Sequence, residues 1–291
     1  SRSLRELPGL TPPSVPSVER GARTRRRSIR SSIALMDRMS TPSGRLARRG
    51  FGDPHRALVV IDTWMDALDD ESLVGRLVDE VLASDDPDLA MSGFARLASD
   101  HRTAFCHVLA DAGRVHRVAR VIGASVSLNQ HIAVHPEALA ELAEQPLPRS
   151  ADALRQELLA AVGADGAAAA PVAVGTSDAL RIAYRSALLR IAARDVTAPD
   201  PLAIVHDIAR ELADLADAVL EAALALARAE TPRHEDVRLA VLAMGKCGAG
   251  ELNYVSDVDV VYVAEPALDA TGEPVCSATD AVAIATKLAA S

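Results

Sequence analysis

Over 291 residues the chain sets 40 Asp and Glu against 31 Lys and Arg, a formal net charge of −9, and it is 49% apolar but only 2% aromatic. That composition supports a sizeable core of helices packed through Ala and Leu, and it disfavours a β-sandwich. Three scattered cysteines, Cys106, Cys247 and Cys276, form neither a disulfide framework nor a CxxC metal pattern, and no apolar run approaches the ~20 residues that cross a bilayer, so a cytoplasmic protein without membrane association is expected.

Residues 1–53 read as a disordered basic tail. The run "RGARTRRRSIRSS" at 20–32 has the charge to hold nucleic acid, but Pro, Ser and Arg with few aliphatics describe a segment that buries too little surface to order itself, and nucleic-acid binding is disfavoured. No apolar stretch follows those arginines to make a secretory leader.

Ordered structure is expected to begin near Pro54 and to form a helical bundle over 54–161. "ALVVIDTWMDAL" and "ESLVGRLVDEVLAS" repeat apolar residues at helical spacing. Asp86 caps a further helix with Pro87 in its first turn, and Gly113 is expected to stop a helix between "AFCHVLADAG" and "RVHRVARVIGAS". The low-complexity stretch "GADGAAAAPVAVG" marks a linker or surface loop over 162–176. Long helices are expected over 177–230, the second opening on Asp200 and Pro201 and burying a stripe of Val205, Ile208, Leu212, Leu215, Val219, Ala222 and Leu226. Beyond Pro232 the character changes. "RLAVLAM" and "VDVVYVA" read as strands joined by a glycine-rich loop, and "CSATDAVAIATKLAAS" as a helix capped at Ser277 or Thr279. Two strands and a helix are expected to be the start of a sheet domain rather than a complete one.

The loop carries the chemistry. It is not a Walker loop, because Ala240 and Cys247 stand where glycine and Ser or Thr are required, and Cys247 also breaks a dinucleotide fingerprint anchored on Gly245. Gly245, Gly248 and Gly250 still let the backbone turn tightly and approach phosphate oxygens, with Lys246 adding a positive charge. Asp257 and Asp259, two apart on an expected strand, share one side roughly 6.5 to 7 Å apart. Two carboxylates held together call for a cation, and hard oxygen ligands suit Mg²⁺ with substrate phosphates completing its shell. A pair of such ions stabilises both the entering and the leaving oxygen of an in-line displacement at phosphorus.

The order strand, Gly245-Lys246, a spacer, then Asp257-x-Asp259 and an apolar strand resembles the DNA-polymerase-β-like nucleotidyltransferase superfamily. More narrowly, "MGKCGAGELNYVSDVDVVYV" resembles the signature of the glutamine-synthetase adenylyltransferase and adenylyl-removing family, with which Lys246, Glu251, Leu252, Asn253 and Ser256 agree. Segments 128–139, 188–196 and 211–224 are similar to helices that family places before its first catalytic core. The resemblance implies a mainly α chain whose residues 231–291 begin a small, incomplete α/β polymerase-β-like core. It implies Asp257 and Asp259 as catalytic metal ligands for Mg²⁺, two ions in all. It assigns the nucleotide, ADP or ATP, to Gly245, Lys246, Gly248, Gly250, Glu251, Asn253 and Ser256. The family joins two related catalytic halves, and the helical leader points to the adenylyl-removing one, which phosphorolyses adenylyl-tyrosine on glutamine synthetase. PII-type signal proteins are implied as regulators. A third carboxylate in an Asp-x-x-Leu-Arg-Pro context does not occur before residue 291, so the chain by itself is expected to be inactive. The rival from another class is a non-catalytic helical module that binds glutamine synthetase or signal proteins.

Three other groups invite a role and are read as structural. His131 and His135 lack the Glu of a zinc-protease helix and are expected in the core or at a cap. Arg181, Arg185 and Arg194 are expected on a solvated helix face. Cys247 would be oxidation-sensitive if exposed beside Lys246.

Overall fold

The computed structural model describes residues 41–290, and the expected tail up to residue 40 lies outside them. The described chain is mainly helical with one two-stranded sheet near its C-terminal end. No helix among the described residues is long and apolar enough to cross a membrane.

Order begins before Pro54, in correction of the sequence reading. Helix α1 (Pro42–Arg48) is capped by Thr41 Oγ1, which accepts the Gly44 N–H at 3.1 Å. Leu46 and the following Phe51 are buried at 1% and 3% exposure. The Gly52 and Asp53 N–H groups donate to the Asp88 carboxylate at 2.6 and 3.2 Å. Two apolar anchors and one distant acceptor therefore order a stretch whose composition reads as tail.

Helices α2 (Pro54–Leu68), α3 (Glu71–Leu82), α4 (Pro87–Asp100), α5 (Arg102–Leu109), α6 (Ala112–Ala124) and α7 (Val126–Val134) pack with α1 around one core. Most of their starts have a cap of the expected kind: Asp53, Asp70, Asp86, Asp111 and Ser125 each accept a backbone N–H three residues on, satisfying donors that the first helical turn leaves free. Gly113 does not stop a helix. It lies in the first turn of α6, and the break falls at Ala110 and Asp111, where the aspartate caps the new helix at 2.6 Å. Trp64, Phe94 and Phe105 meet with ring centroids 6.2 to 6.5 Å apart, an aromatic cluster at the centre of this core.

A 3₁₀ turn (Pro136–Leu142) leads to α8 (Ala151–Ala161), α9 (Ser177–Val196) and α10 (Pro201–Glu230), which form a second core of Leu and Ala. The stripe on α10 is covered from Ile208 onward, while Val205 is 47% exposed near the helix start. Residues 162–176 have no regular element and are tied to α10: the Ala173 N–H donates to the Ala225 carbonyl at 3.0 Å, and Arg155 bridges the Gly166 carbonyl and the Glu221 carboxylate.

Strand β1 (Val237–Ala243) pairs antiparallel with β2 (Val260–Pro266), with Val237 opposite Pro266 and Ala243 opposite Val260. Because side chains alternate, Val237, Leu239 and Ala264 share one face, which packs on Ala227 of α10 and on Ala281, Ile284 and Leu288 of the last helix, α12 (Ala278–Ala290). Ser277 caps α12 through the Asp280 N–H at 3.1 Å.

Candidate active site

The loop between the strands departs from the sequence reading at both ends. Gly245–Ala249 is a single helical turn, α11, rather than an open loop, and β2 begins at Val260, so Asp257 and Asp259 stand just before the strand and not on it. The reason is visible at the mouth of the hairpin. The Met244 N–H donates to the Asp259 carbonyl at 2.8 Å, closing the hairpin ladder before Gly245 turns away at φ +54°.

The three glycines are needed for different reasons. Gly245 sits in the left-handed region that favours glycine, and a Cβ there would lie 3.5 Å from Asp259 Oδ2, which places that carboxylate over the turn. A Cβ on Gly248 would lie 2.4 Å from the Ala243 carbonyl oxygen, a backbone atom that has no room to yield. Gly250, at φ +69°, would put a Cβ 2.8 Å from the Arg210 guanidinium carbon of α10. Gly248→Ala is therefore expected to push α11 off the end of β1, at a cost of about 1–3 kcal/mol for the overpacking. A thermal melt matching the parent's would contradict that account.

After α11 the chain is pinned on both sides. The Glu251 N–H donates to the Lys246 carbonyl at 2.8 Å, and Cys247 and Leu252 are buried in the second core. Asn253 Oδ1 accepts the Val255 N–H at 3.0 Å, and the Ser256 N–H donates to the Asn253 carbonyl at 3.3 Å, a tight turn that aims the chain back toward Asp257. The Tyr254 hydroxyl donates to Asp195 Oδ2 on α9 at 3.0 Å, and burial together with that carboxylate pushes the phenol's pKa far up, so it stays a donor.

These constraints bring Gly245, Lys246, Asn253, Ser256, Asp257 and Asp259 together around one open cavity of about 460 Å³, with Val255 at its rim. Gly248, Gly250 and Glu251 do not line it; they shape the backbone that does. Both aspartates are exposed, as is Lys246. Ser256 Oγ is buried and lacks a hydrogen-bond partner among the described residues. No group of three or more His, Cys, Asp or Glu side chains among the described residues could hold a metal ion. A cation held here would thus take one or two carboxylates from the protein and the rest of its shell from water and phosphate, which is the pattern Mg²⁺ prefers.

A second cavity, about 250 Å³ and mostly apolar, adjoins the first and shares Asn253 and Ser256 with it. Its walls come from α9 and α10, and Tyr184, Tyr254 and Val258 line it. Sequence reasoning gave these residues no role. The available signal was the scarcity of aromatics: two of the chain's three tyrosines meet here.

The remaining candidates resolve structurally. His131 is buried, its pKa lowered by burial first and then by His135 and Arg185, and its ring lies 5.2 Å from that of His135. Arg181 and Arg185 are exposed, Arg181 pairing with Asp178. Arg194 is not on a solvated face: it is buried and ion-paired with Glu211 of α10, a partner on another helix that periodicity does not reveal. Cys247 is buried, and burial with the Asp217 carboxylate nearby raises its thiol pKa, the reverse of a reactive thiolate.

Comparison with known proteins agrees with the motif. The family described as glutamate-ammonia ligase adenylyltransferase matches residues 115–291. The chain is 51% identical over 211 residues to the bifunctional glutamine synthetase adenylyltransferase/adenylyl-removing enzyme of Cutibacterium acnes, covering 71% of this chain and 21% of that protein. The correspondingly named proteins of Bifidobacterium longum subsp. infantis and Streptomyces coelicolor are 44% and 40% identical, over 62% and 87% of this chain and 18% and 24% of theirs. The chain thus spans 18% to 24% of the length of these relatives.

Proposed function

The chain belongs to the glutamate-ammonia ligase adenylyltransferase family, and from that premise we propose that it carries the adenylyl-removing half of a bifunctional enzyme, with residues 231–291 opening a polymerase-β-like nucleotidyltransferase core. The observation that carries this reading is the meeting of Asp257, Asp259, Lys246 and Ser256 on one open cavity. The similarity of 128–139, 188–196 and 211–224 to helices that precede the family's first core supports the choice of half. The proposed protein partner is glutamine synthetase bearing an adenylylated tyrosine. The resemblance alone supports PII-type signal proteins as regulators, and free cysteines fit a cytoplasmic setting.

In this reading an oxygen of inorganic phosphate attacks the phosphorus of adenylyl-tyrosine. The bond from phosphorus to the tyrosyl oxygen breaks, the phosphate's proton passes to that oxygen, and the products are ADP and glutamine synthetase with its tyrosine unmodified. Asp257 and Asp259 would hold Mg²⁺, which when bound neutralises charge developing on the phosphoryl oxygens. Lys246 lines the cavity as a compact positive charge for phosphate oxygens, and the turn through Asn253 holds Ser256 beside them.

The test is titration calorimetry with nucleotide in the presence and absence of Mg²⁺. Mg²⁺-dependent binding with ADP held more tightly than ATP is the expected result. Preference for ATP would move the assignment to the transferring half, and no Mg²⁺-dependent binding of either would end the nucleotide reading. With adenylylated glutamine synthetase and phosphate the chain alone is expected to release no ADP; robust turnover would show that the third carboxylate is not needed.

A further inference from the structure

The outer face of the hairpin is apolar where a solvated sheet face is ordinarily polar. We infer that this face, which runs directly off the aspartates, receives an extended segment of the protein substrate beside its modified tyrosine. The inference rests on the proposed reaction and adds the surface on which the substrate's polypeptide lies.

Register defines the face. Leu242 stands opposite Val261 and Ala240 opposite Val263. The bond from the Met244 N–H to the Asp259 carbonyl carries the same register one pair further and sets Met244 opposite Asp259. Opposed residues project to the same side and side chains alternate along each strand, so Met244, Leu242, Ala240, Asp259, Val261 and Val263 share a face. Leu239 and Ala264 lie on the other face, the one that packs on α12. Met244, Leu242, Val261 and Val263 are each 45% to 50% exposed, and the exposed ion pair of Arg238 with Glu265, 3.2 Å apart, ends the apolar strip. From Asp259 to Val263 the strand advances about 13 Å. A flat strip of that length suits a short extended peptide rather than a compact ligand.

Two observations choose the occupant. The first is continuity. Asp259 lines the polar cavity and also belongs to this face, and the exposed Val255 at the cavity rim adds a further apolar contact. A tyrosine ester brought to the aspartates therefore delivers its flanking residues onto Val261, about 7 Å along the strand, and onto Leu242 opposite it. The second is access. A permanent cover over Val261 and Leu242, whether from the same chain or from a second copy, would sit one such step from Asp259 and crowd the cavity that phosphate and substrate must enter. A substrate that arrives and leaves covers the strip only while it is bound. Exposed apolar groups gathered on one face mark an interaction surface, and Met244 brings a flexible side chain that adapts to its partner.

Binding of adenylylated glutamine synthetase to the immobilised chain, set beside calorimetry of ADP with Mg²⁺, separates the strip from the phosphate site. The double variant Leu242→Thr with Val263→Thr keeps strand-compatible side chains. It is expected to bind adenylylated glutamine synthetase about 10-fold or more weakly, with ADP binding and thermal melt equal to the parent's. Val263→Lys, which sets a charge on the strip, is expected to give the same split, and Val134→Thr, exposed on α7, to change nothing. Parent-like affinity for adenylylated glutamine synthetase in both strip variants, or equal losses for it and for ADP, would overturn the docking face while leaving the phosphate site in place. A dimeric parent made monomeric by Val263→Lys would overturn it in favour of a contact between copies. A parent that binds ADP with Mg²⁺ but not adenylylated glutamine synthetase would overturn the docking face alone, and one that binds neither would overturn both readings together.

Discussion

Asp257→Asn and Asp259→Asn are each expected to remove Mg²⁺-dependent nucleotide binding while leaving the fold intact. Both carboxylates are exposed at the mouth of the hairpin, so exchange of an oxygen for an NH₂ group creates no cavity and buries no unpaired charge; surface changes of this kind stay within about 0.5 kcal/mol of stability. Binding is another matter. Asparagine offers one neutral oxygen where aspartate offers two anionic ones, and the loss is expected to be at least the roughly 10- to 100-fold that removing a mere outer-shell partner of a metal costs. Thermal melts give an independent readout. Ligand that binds only the folded state raises its melting temperature, so Mg²⁺ with ADP is expected to stabilise the parent protein and to have no effect on either variant. Without Mg²⁺ the variants are expected to melt with the parent or slightly above it, because each removes one of two like charges from the cavity rim. Retained Mg²⁺-dependent binding in the double variant would remove the basis of the proposed chemistry.

How far the sequence anticipates this site depends on the range of the forces involved. Helix starts are legible because a cap is one side chain and one nearby bond: Asp86 before Pro87 and Asp200 before Pro201 read directly, and both cap as expected. The glycines are legible as punctuation, but which contact each avoids is not, since Gly248 is constrained by the Ala243 carbonyl and Gly250 by Arg210 of a helix that ends twenty residues earlier. The alternation Asp257-Val258-Asp259 reads as strand because extended chain alternates whether or not it is paired. Strand pairing needs a partner, and β1 has already turned away at Gly245. The aspartates still arrive at one cavity, although the bonds that bring them there, Tyr254 to Asp195 and Met244 to Asp259, span elements whose proximity no local pattern encodes. The same holds for α1, ordered through Asp88, and for Arg194, whose spacing suits an exposed helix face until Glu211 is placed against it.

That buried pair sets the largest expected stability effect. Arg194 and Glu211 are 9% and 4% exposed and lie in ionic contact between α9 and α10, and Glu211 Oε1 also accepts the Arg149 N–H at 3.0 Å. Glu211→Ala leaves a guanidinium buried with no anion and a backbone donor without its acceptor, and breaking a buried pair from one side costs about 3–5 kcal/mol. Urea unfolding is expected to show a fall of that size. The double variant Arg194→Met with Glu211→Leu removes both charges while keeping the volume, and it is expected to recover most of the loss, because two desolvated ions contribute little net stability beyond what a packed apolar pair would. The cost has a second consequence, since Asp195 follows Arg194 on α9 and holds Tyr254 of the loop that carries Ser256. Where the pair is broken but the protein still folds, the loop loses its fixed reference on α9, and nucleotide binding is expected to weaken even though neither Arg194 nor Glu211 lines either cavity. A Glu211→Ala protein that unfolds within about 1 kcal/mol of the parent would show that the pair is dispensable, and that the helices hold the loop in place through their apolar contacts alone.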